Sequence, residues 1–187
     1  MQLARAGLLL FLIGLWQLLW VWGLPAYVLS PVDIVKHFFA ALGSEELYQH
    51  IGASLLRSLP GFAIGGLLGI VLGLLAGVTR AFEQMLGPVV FLTYPVPKIV
   101  MLPLFMLWFG IGDLSKILII ALACFYPAFI NAYYGARATR RILVWSARNM
   151  GASDAEIFRR VVLPGALPQI FAGMRVALAL SFIVMFA

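Results

Sequence analysis

The chain has 187 residues, 64% hydrophobic and only 11% charged, with a mean hydropathy of +1.05. Soluble globular chains are about 25% charged, so this one has too few ionisable side chains to coat a water-facing surface, which excludes a soluble enzyme, a nucleic-acid binder and a disordered tail. Long unbroken apolar runs replace the ~10-residue alternating segments of a membrane β-barrel, so the expected fold is an all-α polytopic transmembrane bundle.

At about 20 residues per span, the apolar runs place five spans, at 7–24, 59–78, 87–109, 117–136 and 165–187. The first follows Arg5 and is read as an uncleaved span, because Pro25-Ala26-Tyr27 is a poor signal-peptide cleavage site. Residues 25–57 carry Asp33, Lys36, His37, Glu45, Glu46 and His50, with Val32, Val35, Phe38 and Phe39 at helical spacing. That pattern predicts short amphipathic helices outside the bilayer core. The stretch 137–164 holds Arg137, Arg140, Arg141, Arg148, Arg159 and Arg160 against Asp154 and Glu156, a net +4 of the chain's +6.

Positive residues favour the cytoplasmic side. A cytoplasmic N-terminus places eight Lys and Arg inside (Arg5, Arg80 and those six) and three outside, Lys36, Arg57 and Lys116. Residues 137–164 are therefore expected to be cytoplasmic. The fifth run ends at Ala187 without a charged or aromatic exit, which reads as a fragment or a shortened frame.

Three features in the spans stand out. Gly61, Gly65, Gly69, Gly73 and Gly77 recur every fourth residue, with Gly66 beside them. Such a stripe lets a neighbouring backbone come close, for helix packing or as a surface on which helices slide. In the third span Tyr94-Pro95-Val96-Pro97-Lys98 interrupts the apolar run. Two prolines break regular helix, and broken backbone at membrane depth belongs where it is buried in protein or lines a cavity. A lysine there either marks the solute path or snorkels to the interface. Tyr94, Pro97 and Lys98 are thus path candidates, with Asn131 in the fourth span as a weaker one.

In the loop, Arg148 closes a helix expected to run to Met150, and Gly151 suits a left-handed residue after it. Ser153 and Glu156 form a capping box for a second helix, with Phe158 exposed and Pro164 as its stop. A short helix with a phenylalanine and arginines reads as a plug for a protein partner, or as an interfacial helix on anionic lipid.

Residues 147–168 resemble the signature loop of the integral-membrane subunits of binding-protein-dependent ABC importers. That pattern is Glu-Ala-Ala, three residues, Gly, nine residues, Ile, any residue, Leu-Pro. Ala147 and Gly151 match, and Val161, Leu163 and Pro164 stand for its close, while Trp145 and Ser146 replace the glutamate and first alanine. The runs Pro103-Leu104, Trp108 through Gly112, Ser115-Lys116, Leu163 through Pro168 and Gly173-Met174-Arg175 resemble the nitrate/sulfonate/taurine-type branch.

The resemblance implies a type I importer permease-like fold, in a single transmembrane domain over 1–187, and a multi-pass protein of the bacterial inner membrane. The implied role is the translocation path for a small, anionic, sulfonate- or nitrate-like solute. The implied partners are a second permease copy, cytoplasmic ATPase subunits, an extracytoplasmic substrate-binding protein and lipid, but no nucleic acid. ATPase-coupling residues would be Ala147, Gly151, Ala152, Ser153, Phe158, Arg159, Leu163 and Pro164. The chain has no phosphate-binding glycine loop, metal motif or nucleophile elbow. It is therefore expected to be no enzyme and to need no cofactor or metal. The alternative is a non-transporting membrane scaffold or assembly protein, or an inactive truncated permease.

Overall fold

A computed structural model describes residues 2–23, 25, 28–139 and 141–186, the side chains of 2–4 and 141 excepted. Leu24, Ala26, Tyr27, Arg140 and Ala187, which belong to the expected first span, cleavage site, loop and last span, lie outside the described residues. Every regular element among the described residues is a helix. The chain divides into two compact units, Met1–Gly52 and Ala53–Ala187.

The first unit contains α1 (Gln2–Val21), whose leucines and tryptophans from Leu8 to Trp20 are exposed. It also contains α2 (Pro31–Leu42). The Ser30 hydroxyl accepts the Asp33 N–H at 3.0 Å, and Pro31 takes the first helical position, so the start of α2 is capped as its sequence dictates. Val32, Val35, Phe38 and Phe39 are all exposed on it.

Helix α3 (Glu45–Val78) begins here and continues through the second unit. The sequence separates residues 45–57 from a span starting at 59, but they form one 34-residue helix with Pro60 inside it. Pro60 removes a single N–H, and regular helix continues on either side of it. At 1.5 Å per residue α3 is ~51 Å long, well beyond a ~30 Å hydrocarbon core.

In the second unit, α6 (Asp113–Ala138) is the central element, with Ile119, Ile120, Ala128, Phe129 and Ala132 buried. Helix α3 runs parallel to it at a constant offset of 56 residues. Arg57 Nε meets Asp113 Oδ1 at 2.6 Å. A Cβ on Gly61 would lie 2.9 Å from the Ile117 carbonyl, and one on Gly69 would lie 2.5 Å from the Phe125 carbonyl. Cβ atoms on Gly65 and Gly73 would overlap the backbone at Ala121 and Phe129, and one on Gly77 would come 2.9 Å from Tyr133 O. The five glycines therefore all face α6.

Helix α9 (Leu163–Phe186) packs antiparallel on a neighbouring face of α6 and also touches α3, where a Cβ on Gly66 would lie 2.8 Å from Met174. Gly173 of α9 lies against Asn131 and the Pro127 carbonyl, Gly135 against Ala166 and Gln169, and Cys124 Sγ donates to Ala177 O at 3.3 Å.

The expected third span is two half-helices, α4 (Arg80–Thr93) and α5 (Leu102–Phe109). A 3-10 turn at Lys98–Met101 follows the break, and the two halves bend by 94°. Helix α4 is tied to α6 by Tyr126 Oη donating to Thr93 Oγ1 at 2.9 Å, and by Tyr133 Oη donating to Glu83 at 2.6 Å. Arg137 completes that cluster by pairing with Glu83 and donating to the Tyr133 oxygen at 2.7 Å.

By length and composition three helices are able to cross a membrane, Glu45–Val78, Asp113–Ala138 and Asp154–Phe186; the bent pair makes a fourth, and Arg5–Val21 is a shorter apolar helix. The chain is thus an all-α, polytopic transmembrane bundle.

Because α6 backbone fills the glycine stripe, Gly65→Leu should cost at least ~1–3 kcal/mol through overpacking and lower the thermal midpoint in detergent by several degrees. Gly87→Ala, where nothing lies within 4 Å of the added carbon, should leave the midpoint unchanged or slightly raised.

Candidate functional site

Two groups of side chains carry chemistry beyond packing. The first follows α6. Helix α7 (Arg141–Asn149) ends in a turn built from backbone hydrogen bonds. Ala152 N–H donates to Ala147 O at 3.1 Å and Gly151 N–H to Arg148 O at 3.0 Å. This is the Schellman closure, which requires a left-handed residue, and Gly151 has φ +85°. Ser153 then caps α8 (Asp154–Ile157). Its hydroxyl accepts the Glu156 N–H at 3.3 Å, and its own N–H donates to Glu156 Oε2 at 3.0 Å. Arg148 and Asp154 pair at 2.6 Å across the turn, but both are exposed, so that pair adds little to stability.

The sequence ends the second helix at Pro164, but the structure carries the chain through it. Residues Phe158–Val162 form a π-turn that leads directly into α9. Pro164 has no N–H for the carbonyl four residues back, and the wider turn with its i to i+5 bonding absorbs that loss. Phe158 also differs from its expected exposure. It is half-buried and packs on the chain's own core around Ile157, Val162 and Ala166.

Ala147, Ala152 and Leu163 pack on the same core, whereas Gly151, Ser153, Arg159 and Pro164 are exposed. Beside them opens a cleft of about 730 Å³ lined by Leu143, Ala147, Met150, Gly151, Ile157, Arg160 and Val161 among others. Its rim bears Met150, 81% exposed, and Leu143. Neither was singled out from the sequence, although Leu143, Ala147 and Met150 have i, i+4, i+7 spacing on one helix face. Trp145 is also exposed.

The second group surrounds the break between α4 and α5. A cleft of about 350 Å³ is lined by Tyr94 through Ile99, by Ala123, Tyr126 and Pro127 of α6, and by Leu180, Ile183 and Val184 of α9. Tyr94, Pro97 and Lys98 therefore share one wall. Asn131 does not join them: it sits at the α6–α9 contact, its Nδ2 donating to Pro127 O at 2.8 Å. Among the described residues no group of three or more His, Cys, Asp or Glu side chains gathers that would hold a metal ion.

The Ser153 backbone N–H, then the Ser153 hydroxyl and Arg160, hold the Glu156 carboxyl below its ordinary range. A carboxyl lowered on folding contributes stability that is present above its unfolded value and lost as pH falls through the folded one. Amide-exchange protection across 154–158, corrected for intrinsic rates, should therefore be level from about pH 8 to about pH 6 and fall only below about pH 4. Ser153→Ala should speed exchange there about fivefold at neutral pH, as loss of an N-cap worth ~1 kcal/mol requires.

Residues 65–186 match the family described as binding-protein-dependent transport system inner membrane component. The chain is similar to the putative aliphatic sulfonates transport permease protein SsuC of Bacillus subtilis, 38% identical over 95% of this chain and 66% of that one. It is similar to the taurine transport system permease protein TauC of Escherichia coli, 34% identical over 84% and 59%. It is also similar to the riboflavin transport system permease protein RibX of Chloroflexus aurantiacus, 37% identical over 92% and 65%. The chain thus spans less than two thirds of the length of these relatives.

Proposed function

The chain belongs to the family of inner-membrane components of binding-protein-dependent transport systems, and from that premise we propose that it is the permease subunit of an ABC importer for small organic anions of the sulfonate class. It is a multi-pass inner-membrane protein. The observation that carries the coupling role is the α7–α8 module: a glycine-directed turn holds an apolar cleft open beside the exposed Met150.

In this reading the cleft receives an apolar side chain of a separate ATPase subunit, and Arg159 and Arg160 meet acidic groups around it. Ser153 and Gly151 aim the module, while Ala147, Ala152, Phe158 and Leu163 anchor it to the bundle core. Because the π-turn makes α8 continuous with α9, a push on the module is delivered straight into α9 and from there to α6. Two permease copies then rock between inward- and outward-facing states. ATP is hydrolysed on the partner subunit, and a substrate-binding protein delivers solute on the other face.

The excess of Lys and Arg in 137–164 supports a cytoplasmic position for the module and for the N-terminus. The 350 Å³ cleft, with Tyr94 and Pro97 on its wall, is the proposed solute path. Asn131 acts from the α6–α9 contact behind that cleft. The names of the sulfonate and taurine relatives support the solute class.

Gly151→Asp forces a side chain onto a left-handed residue, and Met150→Glu places a charge at the cleft mouth. Each should cut co-purification of the cognate ATPase at least about tenfold, a loss of ~1.4 kcal/mol or more, with detergent stability within a few degrees of the native chain. Unchanged co-purification in both variants would refute the coupling role. ATP-driven uptake of riboflavin but not taurine in proteoliposomes would refute the solute class alone.

A further inference from the structure

An ionisable side chain within a membrane span is ordinarily taken to bind the transported charge. The geometry around Lys98 points elsewhere. Its Nζ donates to Thr93 O at 2.7 Å, to Tyr94 O at 3.0 Å and to Val96 O at 2.6 Å. A lysine ammonium has three N–H donors, so these bonds use all of them. The remaining approach is covered by the Tyr126 ring, whose centroid lies 4.0 Å from Nζ.

Helix α4 stops at Thr93, and the residue whose N–H would continue the helix to Thr93 O is Pro97, which has none, so Thr93 O accepts the Val96 N–H in a turn at 3.2 Å and has a lone pair left for Lys98. Carbonyls at a helix C-terminus carry partial negative charge and favour a cation. Lys98 comes from the far side of the break, on the turn that leads into α5, so its bonds tie the second half-helix to the end of the first.

We infer that Lys98 is a positioning residue that closes the broken span and holds its 94° bend, and that it is not a ligand for the transported anion. Recognition of solute in this cleft then falls to its aromatic and aliphatic wall, Tyr94, Pro97, Leu180 and Ile183 among them. The cleft discriminates by the organic tail more than by the charged head. The transport consequence rests on the permease reading, whereas the helix closure does not.

The test uses the full chain in liposomes with nitroxide pairs at Val89→Cys and Leu107→Cys, both exposed positions, Cys124 being buried and inert to the label. Electron–electron distance measurements should show a narrow distribution for the native chain and for Lys98→Arg. Lys98→Met should broaden or lengthen it, and saturating taurine should leave the native distribution unchanged. Lys98→Gln, which keeps N–H donors, serves if Lys98→Met does not insert. In the assembled importer, Lys98→Met should lower maximal taurine uptake at least about fivefold with KM within about twofold, and Lys98→Arg should restore it. Unaltered distances in Lys98→Met, or a KM raised about tenfold with distances unaltered, would overturn the inference. If the native importer moves no taurine, the solute reading fails and the distances alone decide the role of Lys98.

Discussion

The close approach of α3 to α6 is the constraint on which the rest of the bundle depends. Lipid chains are as apolar as leucine, so helices in a membrane gain little from burying apolar surface against each other and associate through fit and backbone proximity. A glycine every fourth residue from Gly61 to Gly77 lets α6 backbone enter the α3 groove, and the Arg57–Asp113 pair continues the same 56-residue offset at one end. With one flank of α6 fixed in this way, its other faces are free to receive α9 and the half-helix α4. Small residues on α6, such as Gly135, and on α9, such as Gly173, repeat the device on the second flank. A side chain of any size on the stripe would displace the helix on which α4 and α9 pack.

Around that fixed pair sit the two irregular segments, and each irregularity is chemically compensated. At the α4–α5 break Lys98 bonds the carbonyls of Thr93, Tyr94 and Val96. At the α8–α9 junction the cost of Pro164 is met by a π-turn. One produces a sharp bend beside a cleft within the bundle. The other preserves helical continuity from the capped start at Ser153 into the long helix α9. In the permease proposed above, the first would border the solute path and the second would receive force from the partner.

Much of this was legible where the chemistry is local. Pro95 and Pro97 announce a helix break, Gly151 a left-handed turn, and Ser153 with Glu156 a capped start, because each depends on residues within a few positions. The glycine stripe was legible as a close-approach surface, while its partner helix was not, since nothing in residues 61–77 identifies α6. Tertiary context decided the rest. The charged residues Glu45, Glu46 and Arg57 suggest a segment apart from the span, yet an uninterrupted helix spans 45–78. Phe158 looks like an exposed plug by hydropathy and is instead packed on Ile157 and Val162, which leaves Met150 and Leu143 at the cleft mouth. Lys98 looks like an ion-binding group until the three carbonyls that surround it are seen.

The proposed coupling role of the α7–α8 module turns on what the Met150 rim touches in the membrane. A photo-reactive benzoylphenylalanine at position 150, irradiated in native membranes of cells expressing the full importer, reads that contact directly. The expected result is a covalent adduct with the ATPase subunit that changes in yield when ATP is added. Adducts with lipid alone, unchanged by ATP, would contradict it and favour a membrane scaffold with no coupled ATPase.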